Sequence, residues 1–324
     1  MSPTAARARG DTDRASVTIA RSEVGEIQRS RLVGALIELV AERGAAGVSV
    51  ARIVARSGVS RRTFYEHFAD RESCFLAALD RGIERAGESV IPAYQAPGKW
   101  RERIRASLGG LLEFVDAEPQ TAYLCFVGAL GSGGRVLERR TAIVEALVDA
   151  VDEGRHEAGA KRPPDRLLAE GLVGAVLAVI HMRLQGSQEG EPFIDLLNPL
   201  MRMIVLPYIG AAAAARELQR PVPPTPVRRL CPSDALRELD MRLTYRTIRV
   251  VLAIASHPAA SNRAVGDAAG IADQGQISKL LARLQGLGLI QNNGGDHGKG
   301  EPNAWTLTAK GRVLTDTLEA RAAA

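Results

Sequence analysis

A length of 324 residues exceeds the roughly 100–200 of one domain and implies two or three folding units. The composition, 46% hydrophobic and 24% charged, is that of a soluble globular chain. A mean hydropathy of -0.04 and an apolar stretch near residue 180 that runs only from Gly171 to Ile180, short of the ~20 residues a bilayer requires, argue against a membrane protein.

The net charge of +5 is modest but unevenly spread: residues 1–85 carry +3, residues 86–215 carry −3 and residues 216–324 carry +5. Two basic ends flanking an acidic middle suggest nucleic acid as a partner. Residues 1–24 alternate Arg7, Arg9, Asp11, Asp13 and Arg14 without an apolar stretch behind them. That layout is not a secretory signal, so a disordered arm on a cytoplasmic protein is expected.

From about Glu26, Val33, Leu36, Ile37 and Val40 recur at helical spacing until Gly44, a residue that tolerates the left-handed end of a helix. Ser49 is placed to cap a second helix carrying Val50, Ile53 and Val54 and ending at Gly58. Ser60 is placed to cap a third, whose inward face holds Phe64 and Phe68. Three short helices around one tight turn predict a helix-turn-helix within residues 25–85, with Asp70 starting a fourth helix through Ala86.

Long amphipathic runs follow. They predict helices near 99–116, 118–130, 135–158, 165–185 and 192–215, and an antiparallel helical bundle over 86–215. Pro221, Pro223, Pro224, Pro226 and Pro232 make 216–233 a semi-rigid, proline-rich linker. Over 234–324, helices near 244–256, 262–269 and 273–286 precede Leu289–Gln291, a glycine-rich loop, Trp305–Leu307 and a final helix. This is the order of a winged helix with a small β-hairpin. The expected fold is mainly α throughout.

Between Glu42 and Glu66 the chain carries Arg43, Arg52, Arg56, Arg61 and Arg62 and no acid. A patch of one sign neutralises phosphates and releases their counterions. The string VSVARIVARSGVSRRTFYEHFADRESCF closely resembles the DNA-binding segment of TetR-type regulators, over roughly residues 26–80. The features are its glycine turn, the Val-Ser before the third helix, and Thr-Phe-Tyr followed by His-Phe. The resemblance implies that Arg61, Arg62 and Thr63 approach bases or nearby phosphates while Tyr65 and His67 hold the backbone; Arg52 and Ser60 complete the expected DNA-facing set. Val54 and Ser57 stand where the pattern tends to place small residues, and Arg61 where many members have glycine.

In the third helix of the C-terminal segment, Asp273 is placed to cap and Gln276 to complete a capping-box-like pair. Ile277, Leu280, Leu281 and Leu284 form its apolar stripe, leaving Gln274, Gln276, Ser278, Lys279 and Arg283 outside. Residues of about 244–318 resemble the winged-helix domains of MarR-type regulators. The loop 294–300 is then the wing, and Lys299 reaches a minor groove or a phosphate. Because the fold also serves protein contacts, an adaptor with a protein-binding C-terminal module is the alternative.

In the TetR-type family the helical middle binds a small effector and makes a homodimer. Gly171, Gly174, Ala175 and Ala178 put small residues on one helix face, either as a dimer seam or as tight intrachain packing. Candidate effector residues are Trp100, Phe114, Tyr123, Phe126 and His181, with Tyr94 and Met182 beside them, although aromatic residues at helical spacing are core more often than ligand wall.

Cys74, Cys125 and Cys231 are too far apart for a zinc site. The glycines of 131–134 and 294–300 lack the flanking strand and helix of a phosphate loop. With no nucleophile, base or metal constellation, neither an enzyme nor a cofactor is expected. The sequence therefore reads as a homodimeric repressor of transcription. Its expected partners are double-stranded DNA, a second copy of itself and an unknown small-molecule effector that releases it from its operator, with no membrane.

Overall fold

The computed structural model describes residues 25–157, 164–186, 191–224, 245–294, 303–313 and 315. The proposed arm, most of the proline-rich linker, Pro163, Cys231 and Lys299 lie outside them. Within the described residues the chain is mainly helical, with one two-stranded sheet. Contacts gather it into two compact units. One joins residues 25–32, 54–67 and the described part of 232–324, and the other joins 33–53 with 68–231.

The first helices end and begin where local chemistry requires. Helix α1, residues 25–43, stops at Gly44, whose φ of 68° is a left-handed value that a side chain disfavours; its N–H returns to the Val40 carbonyl at 2.9 Å. Helix α2 (Val50–Ser57) is capped by Ser49, whose Oγ accepts from the Arg52 N–H at 3.3 Å, and ends at Gly58, φ 66°. Helix α3 (Arg61–His67) is capped by Ser60, which accepts from the Thr63 N–H at 3.1 Å.

Helix α4 (Arg71–Gln95) begins at Asp70, whose carboxylate accepts from the Ser73 N–H at 2.6 Å. The expected end at Ala86 is overrun by nine residues, through Gly87 and past Pro92. Both residues disfavour a helix interior, but α4 lies along α5 (Trp100–Ala117), and packing overrides their propensity. Helix α6 (Pro119–Phe126) uses Pro119 at its first position, where no N–H is needed. Helix α7 (Gly134–Asp152) and helix α8 (Arg166–Gln185) follow.

The single helix expected over 192–215 is three pieces. A 3₁₀ turn at Phe193–Leu196 has its N–H groups at Phe193 and Ile194 held by the Asp116 carboxylate, at 2.8 and 2.9 Å. Helices α9 (Leu197–Ile209) and α10 (Ala211–Leu218) are separated at Gly210, just after Pro207. The bundle core is aliphatic around Trp100, whose indole N–H donates to the Ala150 carbonyl at 2.9 Å and whose ring meets Tyr208 edge-on at 5.1 Å.

Charge fastens α10 to α5. Arg105, buried, donates to Glu217 at 2.9 Å, to Asn198 at 2.7 Å and to the Pro221 carbonyl at 3.1 Å. Arg220 pairs with Glu102 at 2.8 Å, and Asn198 donates to the Arg220 carbonyl at 2.8 Å. The root of the linker is therefore held on the bundle through residue 221.

By length and composition α8 is long and apolar enough to cross a membrane, and its apolar span is 22% buried. Reading only the uncharged run Gly171–Ile180 undercounted it, because the charged residues sit near the helix ends. Leu172, Val176 and Ile180 enter the bundle core. Leu167, Gly171, Gly174, Ala178 and Met182 make an exposed stripe on another face, Leu167 and Met182 being 70% and 71% exposed.

In the C-terminal module, α11 (Tyr245–Ser256), α12 (Asn262–Ala268) and α13 (Gln274–Gly286) precede β1 (Ile290–Asn292) and β2 (Trp305–Leu307). The strands pair antiparallel, with Ile290 opposite Leu307 and Asn292 opposite Trp305. A bridge from Trp305 to Ala260 adds a short third edge. Asp273 caps α13, accepting from the N–H groups of Gly275 and Gln276 at 2.8 and 3.2 Å. The Gln276 side chain does not complete a capping box; its Oε1 accepts from Arg246 at 2.9 Å. Ile277, Leu281 and Leu284 are buried and Leu280 is half-buried, packed on the same core.

Glu217 is 1% exposed, so its removal strands the Arg105 charge in a dry site. Glu217→Ala is expected to lower the unfolding free energy by about 3–5 kcal/mol. Urea titration of the variant checks this, and a midpoint equal to that of the parent chain would refute it.

Candidate nucleic-acid interface and ligand cavity

The turn between α2 and α3 sets which side chains face outward. Phe64 is wholly buried and Phe68 nearly so, while Ser60, Arg61, Arg62 and Tyr65 are exposed and Thr63 and His67 half-buried. Arg61 lies over the Tyr65 ring at 5.9 Å, a cation–π distance. Arg62, its side chain 90% exposed, is held by Glu66 one turn on at 3.0 Å. Thr63 shares its hydroxyl with Ser60 at 2.9 Å, so these two side chains serve the helix cap. Arg52 donates to the Gly47 carbonyl. Burial pulls the His67 imidazole below its ordinary value, outweighing the nearby Glu26 and Glu66 that would raise it. His67 is therefore mainly neutral near pH 7, suited to a hydrogen bond rather than a charge contact.

The start of α4 is tied to segments of its own unit. Arg71 donates to the carbonyls of Ala45 and Val48, at 3.1 and 3.3 Å, in the segment that leads into α2. Arg135, at the start of α7, bridges Asp70 at 2.9 Å and Glu72 at 3.1 Å. Hydrogen bonds from Ser73 chiefly, aided by Arg135, hold the Asp70 carboxyl below the usual carboxylate range.

In the C-terminal module Gln274, Gln276, Ser278, Lys279 and Arg283 all lie on the exposed side of α13. Two of them are engaged: Gln276 by Arg246, and Ser278 by Asn262 at 3.4 Å. Asn262 in turn accepts from the Trp305 indole at 2.6 Å, linking α12 to β2.

The bundle holds a partly open cavity of 590 Å³, walled by α4 to α9, within the range of small-molecule sites. Its walls are largely aliphatic, with Ile83, Val90, Leu108, Leu147 and Val176 among them, and Arg139 and Arg140 stand at its edge. Of the residues picked from sequence, Phe114, Phe126 and Tyr94 line it. Trp100 packs in the core, and Tyr123 and His181 stand outside the lining, His181 with Nδ1 3.0 Å from the Phe126 carbonyl. Met182 faces solvent. Aromatic side chains drew attention that belonged to the aliphatic ones, which share the periodicity of ordinary core residues. Arg139 is paired with Asp80 at 2.8 Å. Burial pushes the Cys125 thiol, also in the wall, up to about 12, so it is no nucleophile near pH 7. Among the described residues no group of three or more His, Cys, Asp or Glu is placed to hold a metal.

Residues 32–78 match the family model described as bacterial regulatory proteins, tetR family. This segment is a TetR-like helix-turn-helix. Such a segment binds DNA in the regulation of transcription, as the names of two relatives reflect. The HTH-type transcriptional activator FasR of Mycolicibacterium smegmatis is 28% identical over 147 residues, which are 45% of this chain and 67% of FasR. The HTH-type transcriptional regulator YezE of Bacillus subtilis is 28% identical over 93 residues, 28% of this chain and 46% of YezE. Among solved structures, the fatty acid degradation regulator FadR of Bacillus halodurans has 15% identity and a TM-score of 0.49, covering 55% of this chain and 94% of its own. FadR of Bacillus subtilis, solved with stearoyl-CoA, has 15% identity and a TM-score of 0.48, covering 55% and 97%.

Glu66 places an acidic charge among the arginines of α3, paired with Arg62. The i,i+4 spacing of Arg62 and Glu66 was the signal available in the sequence. An exposed pair of this kind is worth about 0–1 kcal/mol, so Glu66→Gln is expected to tighten DNA binding by up to roughly fivefold. Anisotropy titration at fixed salt checks the sign; weaker binding would mean that Glu66 orients Arg62 for its contact.

Proposed function

We propose that the chain is a homodimeric transcriptional repressor whose α3 reads an operator and whose bundle releases it on binding a small apolar ligand. The observation that carries this reading is the 590 Å³ cavity lying along α4, a helix separated in sequence from the TetR-like α3 by three residues. Leu79, Ile83, Ala86 and Val90 present α4 to the cavity, while its first turn is held by Arg71 and Arg135. A ligand that fits the cavity better in one setting of α4 shifts the balance between DNA-binding and released forms by that difference in affinity. Aliphatic walls with Arg139 and Arg140 at the edge favour an elongated apolar molecule with an anionic end.

The exposed stripe of α8 supports the dimer. Nothing lies within 4 Å of where a Cβ would stand on Gly171 or Gly174, so another helix can approach closely there. Arg166 is tied to Asp149 on α7 at 2.6 Å, and the opposite face is already in the bundle core, which favours a second copy over a bilayer. Arg61 and Arg62 are assigned to base or phosphate contacts, with Ser60, Thr63, Tyr65, His67 and Arg52 placing the helix. The C-terminal module is assigned as a winged helix and second DNA reader through α13, with Lys279 and Arg283 supplying charge. The engagement of Gln276 and Ser278 within the module favours the adaptor as the second reading.

Footprinting of the intact chain is expected to reveal a two-fold symmetric site bound by a dimer, longer than the site protected by a chain ending at residue 224, which keeps Glu217 and Pro221. A single monomer on DNA would overturn the first claim, and equal footprints would move the C-terminal module to protein binding. For the cavity, Val176→Trp is expected to fill the space, abolish enhancement of anilinonaphthalene sulfonate fluorescence and leave operator affinity within about twofold. Undiminished fluorescence would place the apolar site elsewhere.

A further inference from the structure

Ile27 sits in the first turn of α1, a place where a side chain ordinarily stays in water, yet it is 3% exposed. The apolar residues around it belong to the C-terminal module. The buried cluster that contains Ile27 is otherwise drawn from residues 248–307, including Ile248, Val251, Ile277, Leu281 and Trp305. The grouping of contacts agrees, placing residues 25–32 and the α3 segment 54–67 in one unit with the described part of 232–324. Within this unit Gly25 also lies 3.6 Å from the His67 ring, measured to the position a Cβ would take, so the start of α1 adjoins the end of α3.

The TetR-like match begins at residue 32. Residues 25–31 therefore add nearly two turns to α1 ahead of it, and those turns carry the buried isoleucine. Arg31 is desolvated at the same place, and burial lowers its guanidinium from the ordinary value. An apolar residue on a leading helical turn is stable only where another surface covers it. Here that surface is the core of a module more than two hundred residues away in sequence.

We propose that the C-terminal module docks on residues 25–32 of its own chain, so that α3 and α13 belong to one reading head rather than to two heads joined by a loose tether. The occupant of the docking surface is the leading turn of α1, with Ile27 as its anchor. Residues 216–233 connect the bundle to this module in sequence. Any displacement of α1 carries α13 with it, and α13 presents Lys279 and Arg283 in fixed relation to Arg61 and Arg62. The DNA-facing part of this consequence rests on the function proposed above; the docking itself does not.

The test separates the two. A protease site is inserted between Thr225 and Pro232 of the full-length chain, the connection is cut there, and the products are run on a size-exclusion column without DNA. The C-terminal piece is expected to co-elute with the remainder, and Ile27→Asp is expected to release at least tenfold more of it. Separation of the pieces in the parent chain would overturn the docking, as would full retention in the Ile27→Asp chain. Should Ile27→Asp fold poorly, Ile27→Ala in the uncut chain is followed by hydrogen exchange. Amides of residues 248–254 and 277–284 are expected to exchange severalfold faster, with those of 104–115 unchanged. Unchanged exchange in the module would equally overturn the proposal. Loss of DNA binding with co-elution intact would count against the reading function alone.

Discussion

A continuous helix resists bending, and α4 is the member of this structure on which the rest depends. Its 25 residues span roughly 37 Å. One end is pinned by a cap, a buried-side arginine and an exposed arginine bridge; the other lies along a cavity. On the function proposed above, a rod held this way converts a small change in cavity shape into a movement at its capped end. Pro92 falls in the last turn and removes one i→i−4 hydrogen bond there, a loss offset by the packing of α4 along α5.

Charge does two different jobs here. Around Arg105 and Glu217 it is buried, and its value lies in geometry: three acceptors converge on one guanidinium, and removing any partner leaves a charge without water. Along α3 it is exposed, weak in stabilising the fold, and available for exchange. Breaking the Arg62–Glu66 pair costs little because both partners are solvated.

The small residues of α8 illustrate how one pattern admits two meanings. Glycine and alanine at helical spacing permit close approach by any neighbour, within the chain or outside it. Leu172, Val176 and Ile180 take the intrachain side, while Gly171, Gly174 and Ala178 are left outward. The number of apolar positions on a twenty-residue helix exceeds what one packing face can absorb, and that surplus is what makes the helix resemble a membrane span by composition.

What the sequence determined by itself is local. Ser49, Ser60, Asp70 and Asp273 cap the helices that follow them, because a cap needs only a side-chain oxygen and an N–H two or three residues on. Gly44 and Gly58 end helices for a similarly short-range reason, their left-handed φ. The arginines of α2 and α3, the two strands and the mainly helical fold were legible on the same terms. Tertiary structure alone decided the rest. The run of α4 past Ala86, the break at Gly210, the aliphatic walls of the cavity and the burial of Ile27 all depend on partners tens to hundreds of residues away. A leucine that will line a cavity and one that will fill a core have the same spacing, and only the placement of the opposing helix tells them apart.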